Sequence, residues 1–93
     1  MSTADVALDL DALCALDAEH VMQTYGRLRV AFVRGRGTEL FDSAGRRYLD
    51  FLSGLAVVSL GHAHPDVARA IAEQAETLLH VSNLYYNDVQ PRL

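Results

Sequence analysis

Two histidines, His62 and His64, flank a single alanine, and their spacing is the first feature of this sequence that suggests chemistry. In an extended segment, side chains two positions apart share a face, so both rings could ligate one metal ion. Such a site needs further ligands, and no third ligand cluster is evident in the sequence. His64 also precedes Pro65 and Asp66, a pairing typical of a helix start. We therefore interpret His64 as a helix cap and predict no metal site.

The four residues 53–56 (Ser-Gly-Leu-Ala) form a candidate ligand wall between a predicted strand and a predicted helix. Gly54 has no side chain that would keep a ligand away from the backbone. Tyr25, Tyr85 and Tyr86 could line a pocket, because tyrosine combines an apolar ring with a polar tip. Tight packing of 53–56 and ordinary partial burial of the tyrosines are the alternatives, and composition alone does not separate these readings.

The segment Gly35-Arg36-Gly37, with two glycines around one residue, resembles part of a glycine-rich phosphate-binding loop. It lies between two predicted strands, whereas a dinucleotide-binding loop joins a strand to a helix. We interpret it as a hairpin turn.

The sequence contains eight arginines and no lysine. This chain alone therefore cannot catalyse a reaction that requires a Schiff base on a side-chain amine. The eight arginines lie at positions 27, 29, 34, 36, 46, 47, 69 and 92.

Composition limits the class of protein. The 93 residues, of which 51% are hydrophobic, suffice for one small domain or part of a larger one. A net charge of -4 without a basic run argues against a nucleic-acid partner. The apolar run 55–58 is too short to span a bilayer, and the first twenty residues lack the basic start of a secretory signal. The single cysteine, Cys14, allows no internal disulfide and suits a reducing, cytoplasmic location.

The pattern of the first half predicts a weak helix followed by a small sheet. Apolar spacing over 9–22 is partly helical, with Asp17 as a candidate N-cap and Gly26 as the stop. Branched and aromatic residues predict three strands joined by short turns, which indicates an antiparallel meander. The predicted strands are 29–34, 38–42 and 47–51, with turns at 35–37 and 42–45.

The second half predicts one clear helix. Apolar residues recur at helical spacing from Val67 onward, with His80 in the last turn. Arg69 and Glu73 stand four positions apart and could form an ion pair. Beyond an extended exit, a further helix is predicted to begin at 87 or 88, with Pro91 in its first turn.

Several segments taken together resemble the amino-terminal part of class III pyridoxal-phosphate aminotransferases, and most closely the acetylornithine branch. The likeness covers residues 17–93. The segments are Tyr25-Gly26-Arg27, Val33-Arg34-Gly35-Arg36-Gly37, the run 40–51 from Leu40-Phe41-Asp42 to Leu49-Asp50-Phe51, the run 53–65 from Ser53-Gly54-Leu55-Ala56 to His64-Pro65, Gln74, and His80-Val81-Ser82-Asn83-Leu84-Tyr85-Tyr86.

This resemblance implies an α+β fold: a three-stranded antiparallel meander plus helices, forming the amino-terminal small-domain segment of a homodimeric pyridoxal-phosphate-dependent transferase. Residues 1–16 would be a tail or weak helix. Residues 17–80 would be the small-domain segment, with a loop at 52–64 and a helix at 65–79. Residues 81–93 would lead toward a large α/β cofactor-binding domain that this sequence does not contain.

The resemblance also implies a reaction in arginine biosynthesis: amino transfer from N-acetylornithine to 2-oxoglutarate, giving N-acetylglutamate semialdehyde and glutamate. Pyridoxal phosphate would serve as the electron sink. Other class III aminotransferases, acting on succinylornithine, ornithine or 4-aminobutyrate, remain open alternatives. So does a non-catalytic lobe that binds a partner.

The matching positions assign pocket-lining roles, not catalytic ones. Tyr25, Ser53, Gly54, Leu55 and Ala56 are expected to line the substrate pocket. Leu55 stands where ornithine enzymes use tyrosine and the acetylornithine branch uses an aliphatic residue. The resemblance implies no catalytic or cofactor-binding residue in this chain, because the phosphate loop and the Schiff-base lysine of the family should come after Leu93. The chain is therefore expected to be inactive alone.

Overall fold

A computed structural model describes residues 7–93 of the chain. The chain divides into two compact units, one ending at Ala63 and the other beginning at His64. The first contains a helix, a three-stranded sheet and an unusual turn, and the second contains a helix followed by an irregular exit.

Helix α1, Leu10–His20, lies within the stretch 9–22 whose apolar spacing is partly helical. Asp9 is its N-cap and accepts a hydrogen bond from the Ala12 amide at 2.8 Å. The prediction that Asp17 caps this region is wrong, because Asp17 lies inside the helix. The helix stops at His20 and not at Gly26, with the Val21 amide donating to the Asp17 carbonyl.

The predicted meander is confirmed, with slightly shifted bounds. The strands are β1 (Phe32–Arg36), β2 (Glu39–Asp42) and β3 (Arg47–Leu49), paired antiparallel in the order β1-β2-β3. The first turn is tighter than predicted, because Gly35 and Arg36 still belong to β1. The second turn follows Asp42, whose side chain accepts from the Ala44 and Arg46 amides at 2.9 Å each.

Side chains across the sheet fix its register. The Phe32 and Tyr48 rings pack edge to face with centroids 5.2 Å apart. The Arg34 guanidinium lies 3.8 Å from the centre of the Phe41 ring, within reach of a cation–π interaction. The pairing of β1 with β2 shifts register between Phe32 and Arg34, which marks a β-bulge.

The four residues Ser53–Ala56, which we call the left-handed turn, all have positive φ, at 55°, 62°, 66° and 63° in chain order. The Ala56 amide donates to the Leu52 carbonyl at 2.9 Å, and the Val57 amide to the Ser53 carbonyl at 2.7 Å. This is the hydrogen-bond spacing of an α-helix wound in the opposite hand. Each residue other than glycine in that conformation costs about 1 kcal/mol or more.

The second unit is built on helix α2, Pro65–Thr77. His64 caps it, as predicted: its Nδ1 accepts from the Asp66 amide at 3.1 Å. Arg69 donates to Asp66, one turn before it, at 2.6 Å, and not to the predicted partner Glu73, one turn after it. The helix ends at Thr77, so the prediction that His80 lies in its last turn is wrong. The further helix predicted to begin at 87 or 88 is a short 3₁₀ helix, Gln90–Arg92, with Pro91 at its start.

Large apolar side chains of the described residues lie mostly at the surface of this chain. Phe51 is 95% exposed, and Leu28, Leu79 and Leu84 are comparably open. Asp42, by contrast, is only 3% exposed. Within residues 7–93, no helix combines the length and apolar character needed to cross a bilayer.

Candidate functional site

Asp50 connects the sheet to the left-handed turn. It directly follows β3, and its amide donates to the Thr38 carbonyl at 2.8 Å. One carboxylate oxygen, Oδ1, accepts from the Leu52 amide at 2.8 Å and from the Ser53 amide at 2.9 Å. The Asp50 side chain is only 7% exposed, so these bonds are sheltered from water. A single carboxylate thus fixes the two amides through which the backbone enters the turn.

The second oxygen of Asp50 binds His62. The distance from His62 Nε2 to Asp50 Oδ2 is 2.5 Å, and the histidine side chain is 21% exposed. We call this contact the Asp50–His62 pair. The backbone of His62 is itself tied to the meander, since its amide donates to the Gly37 carbonyl at 2.8 Å and its carbonyl accepts from the Gly37 amide at 2.9 Å.

The charge state of Asp50 follows from these contacts. The Ser53 amide first, then His62 and the Leu52 amide, lower the pKa of the Asp50 carboxyl below its ordinary value of 3.8. An ionised carboxylate only accepts hydrogen bonds, so Nε2 of His62 is the donor in the Asp50–His62 pair.

A small cavity of about 70 Å³ lies beside this pair. Ser53 is half-buried at its edge, while Gly54, Leu55 and Ala56 are exposed. Leu55 is 78% exposed. Within the turn, Ser53 therefore faces the cavity, while the Leu55 and Ala56 side chains are exposed. The cavity lining is Gly37, Thr38, Asp50, Ser53, Val58, Ser59, Gly61 and His62.

Tyr25 lies in a different depression, of about 440 Å³, beside α1. The lining of this depression includes an ion pair between Arg27 and Asp17, with 2.5 Å between Nη1 and Oδ2. Arg27 and then Gln23, whose side chain also donates to this carboxylate, lower the pKa of Asp17. Of the residues predicted to line a substrate pocket, the structure thus brings 53–56 together in one turn and sets Tyr25 in a separate depression. Tyr85 and Tyr86 are exposed and line a shallow depression within 83–91.

The two histidines that suggested a metal pair have separate partners. His62 donates to Asp50, and His64 accepts from the amide of Asp66. Among residues 7–93, no cluster of three or more histidine, cysteine, aspartate or glutamate side chains is arranged to hold a metal ion.

The chain does not fit the covalent requirement of pyridoxal phosphate. That cofactor is held through a lysine amine, and the sequence contains no lysine. The residues gathered around the left-handed turn offer one carboxylate, one imidazole and backbone amides already engaged with that carboxylate. They suit shaping and orientation of a neighbouring ligand.

Sequence reasoning missed the role of Asp50 and treated His62 only as a metal ligand. The Asp50–His62 contact joins residues twelve positions apart, which no local pattern displays. The sequence does carry a signal for the bonds between Asp50 and the turn. An aspartate two or three residues before a turn commonly accepts hydrogen bonds from the backbone amides of that turn.

Comparison with known proteins defines the class. A family model described as aminotransferase class-III matches residues 21–93. The chain therefore belongs to the class III aminotransferase family. The α+β arrangement expected from the sequence, with three antiparallel strands and helices, matches the amino-terminal segment of that fold.

Individual members of the family that are similar to this chain include acetylornithine and ornithine aminotransferases. An acetylornithine aminotransferase of Gloeobacter violaceus is 61% identical over 72 residues, which cover 77% of this chain and 18% of that protein. The crystal structure of acetylornithine aminotransferase from Elizabethkingia anophelis matches with a TM-score of 0.86 and 33% identity, over 91% of this chain and 22% of that one. An ornithine aminotransferase of Toxoplasma gondii, a structure with partial occupancy of PLP at its active site, matches with a TM-score of 0.85 and 34% identity, over 92% and 20% of the two chains. The chain thus spans about a fifth of the length of these relatives.

Proposed function

We propose that this chain is the amino-terminal segment of an acetylornithine aminotransferase. The enzyme transfers the amino group of N-acetylornithine to 2-oxoglutarate, giving N-acetylglutamate semialdehyde and glutamate, and works as a cytoplasmic homodimer in arginine biosynthesis. The observation that carries the proposal is the 61% identity to an acetylornithine aminotransferase over 72 residues. We use "the complete enzyme" for the whole polypeptide that this proposal implies.

Within that enzyme, residues 17–80 contribute a segment of the small domain, and 81–93 lead toward the cofactor-binding domain. When bound there, pyridoxal phosphate supplies the electron sink of the reaction. The lysine that holds it belongs to another part of the polypeptide, because this sequence has none. This chain alone is therefore expected to be inactive.

The contribution of this chain is to shape the substrate pocket. Tyr25 and residues 53–56 line it, with Leu55 providing an aliphatic surface for the acetylated donor. Positive φ at four successive residues supports this role, since strained backbone is concentrated at ligand-contacting sites.

An ornithine aminotransferase is the second candidate, favoured by the likeness to the Toxoplasma gondii enzyme. Leu55 argues against it, since ornithine enzymes use tyrosine at the matching position. Succinylornithine and 4-aminobutyrate are the other donors to be tested.

The deciding experiment compares kcat/KM of the complete enzyme for N-acetylornithine, succinylornithine, ornithine and 4-aminobutyrate, with 2-oxoglutarate as acceptor. We expect N-acetylornithine to exceed ornithine by about tenfold or more, the discrimination one well-fitted apolar group provides. A higher value for any other donor would contradict the assignment of substrate. Absence of transfer from all four would contradict the assignment as one of these aminotransferases and favour a binding role.

A further inference from the structure

We propose that the Asp50–His62 pair is a positioning device that holds the left-handed turn in the conformation that contacts the amino donor. Asp50 and His62 are thus positioning residues, and they act on the substrate through residues 53–56. The inference rests on the proposed function, because it takes the turn as part of the substrate pocket.

The first step is the strain of the turn. Ser53, Leu55 and Ala56 adopt positive φ although each carries a side chain, and only Gly54 does so freely. Such a conformation persists only where surrounding contacts over-determine it. The two hydrogen bonds that the Leu52 and Ser53 amides donate to Asp50 Oδ1 supply that constraint at the entrance of the turn.

The second step is the anchoring of Asp50 itself. Its other oxygen is held by His62, whose backbone forms an isolated antiparallel bridge with Gly37. The His62 ring packs so closely over β1 that a Cβ built on Gly35 would lie 2.8 Å from its Cβ and Cγ. The orientation of the carboxylate, and with it that of the turn, is therefore set by the sheet.

The third step separates positioning from general stability. Leu55 and Ala56 are exposed, so the constraint on the turn does not bury either side chain against the rest of this chain. A constraint applied to exposed side chains fixes where those side chains stand. Loss of the constraint should accordingly affect binding of the donor more than the chemical step.

The test uses two amide substitutions that differ only in reach. In His62→Gln the amide nitrogen falls near the position of Nε2 and can still donate to Asp50. In His62→Asn it falls near the position of Nδ1 and cannot reach. His20→Asn, at an exposed histidine of α1, is the matched control. If His62→Asn does not accumulate as folded protein, Asp50→Asn takes its place, because it keeps an acceptor for the two amides but removes the charge that faces Nε2.

Two readouts are measured on the complete enzyme: hydrogen exchange of the Ala56 and Val57 amides, and the separate values of KM and kcat for N-acetylornithine. For His62→Asn we expect exchange to accelerate about tenfold, as local opening becomes easier. We expect KM to rise about tenfold with kcat within about threefold of wild type. His62→Gln should restore both quantities to within about twofold, and His20→Asn should change neither.

Unchanged exchange in His62→Asn would overturn the proposal, because the pair would then not hold the turn. Faster exchange with an unchanged KM would overturn it as well, since the pair would then be only structural. Failure of the proposed function looks different: the wild-type enzyme itself would transfer no amino group from N-acetylornithine, while the exchange comparison would still decide whether the pair holds the turn.

Discussion

Tyr48 donates its hydroxyl to the Asp42 carboxylate across 3.0 Å, and this bond ties β3 to the end of β2. The same carboxylate accepts from Arg46 Nε at 2.9 Å and from two amides of the intervening turn. Every one of these donors lies within six residues of Asp42, so the arrangement is local. Asp42 is the most deeply buried residue among 7–93, and all four bonds favour its ionised form.

This arrangement predicts an acid-sensitive second turn. Burial raises the pKa of Asp42, but the Arg46 amide, Tyr48 and the other donors outweigh it and lower the pKa below 3.8. A lowered folded pKa stabilises the fold above the unfolded value, and this contribution is lost as the pH falls through the folded pKa. As the pH is lowered through the folded pKa of Asp42, the urea concentration at the midpoint of unfolding of the complete enzyme should therefore decrease. Asp42→Asn should make this decrease with pH shallower. If the urea midpoint of Asp42→Asn depended on pH as steeply as that of wild type, the prediction would be contradicted. Asp66→Asn, at an exposed aspartate of α2, is the control.

Gly35→Ala should destabilise the complete enzyme. The added Cβ would lie 2.8 Å from His62 and 3.2 Å from Leu40, so the ring must move. Overpacking of this kind costs about 1–3 kcal/mol in the free energy of unfolding. Gly26→Ala, where an added Cβ meets nothing within 4 Å, serves as the control and should be near neutral. Equal stabilities of the two variants, measured by denaturant unfolding, would show that His62 does not pack over Gly35.

Ala56→Gly tests the hand of the turn. Glycine relieves the strain of a φ of 63°, about 1 kcal/mol or more, and loses about 0.5–1 kcal/mol of that gain to chain entropy. The change in the free energy of unfolding should therefore be near zero or stabilising. Ala72→Gly, in the interior of the right-handed helix α2, should instead cost about 1 kcal/mol. A similar loss in both variants would contradict a left-handed backbone at Ala56.

Leu55→Tyr should shift the choice of donor toward ornithine. The backbone cost is unchanged, because leucine and tyrosine both carry a Cβ at a φ of 66°. We expect the ratio of kcat/KM for ornithine over N-acetylornithine to rise about tenfold, from a change in pocket shape. Leu60→Tyr, at an exposed leucine outside the turn, is the control. An unaltered ratio in Leu55→Tyr would remove Leu55 from the pocket.

The meander and α2 could be predicted from the sequence because their signals are local. The residues Asp-Ser-Ala-Gly predict the turn after Asp42, and His-Pro-Asp predicts the start of α2. The errors concern choices between equivalent local partners. Asp9 and Asp17 are both credible caps, and Asp66 and Glu73 are both within reach of Arg69, so sequence spacing does not decide between them.

The site itself was only half predictable. The sequence predicts residues 53–56 as a candidate ligand wall, and Gly54 is the signal for it. The left-handed conformation of Ser53, Leu55 and Ala56 had no signal, because such residues ordinarily avoid it. Asp50 and His62 meet only once the meander has formed, so their partnership depends on the fold.

The central claim is that this chain shapes a wall of an aminotransferase pocket whose reactive amine comes from elsewhere in the polypeptide. It is tested most directly by loading the complete enzyme with pyridoxal phosphate, reducing the cofactor–protein bond with borohydride and mapping the labelled peptide. The account predicts a single labelled lysine outside residues 1–93. Label recovered on a peptide from within residues 1–93 would contradict it.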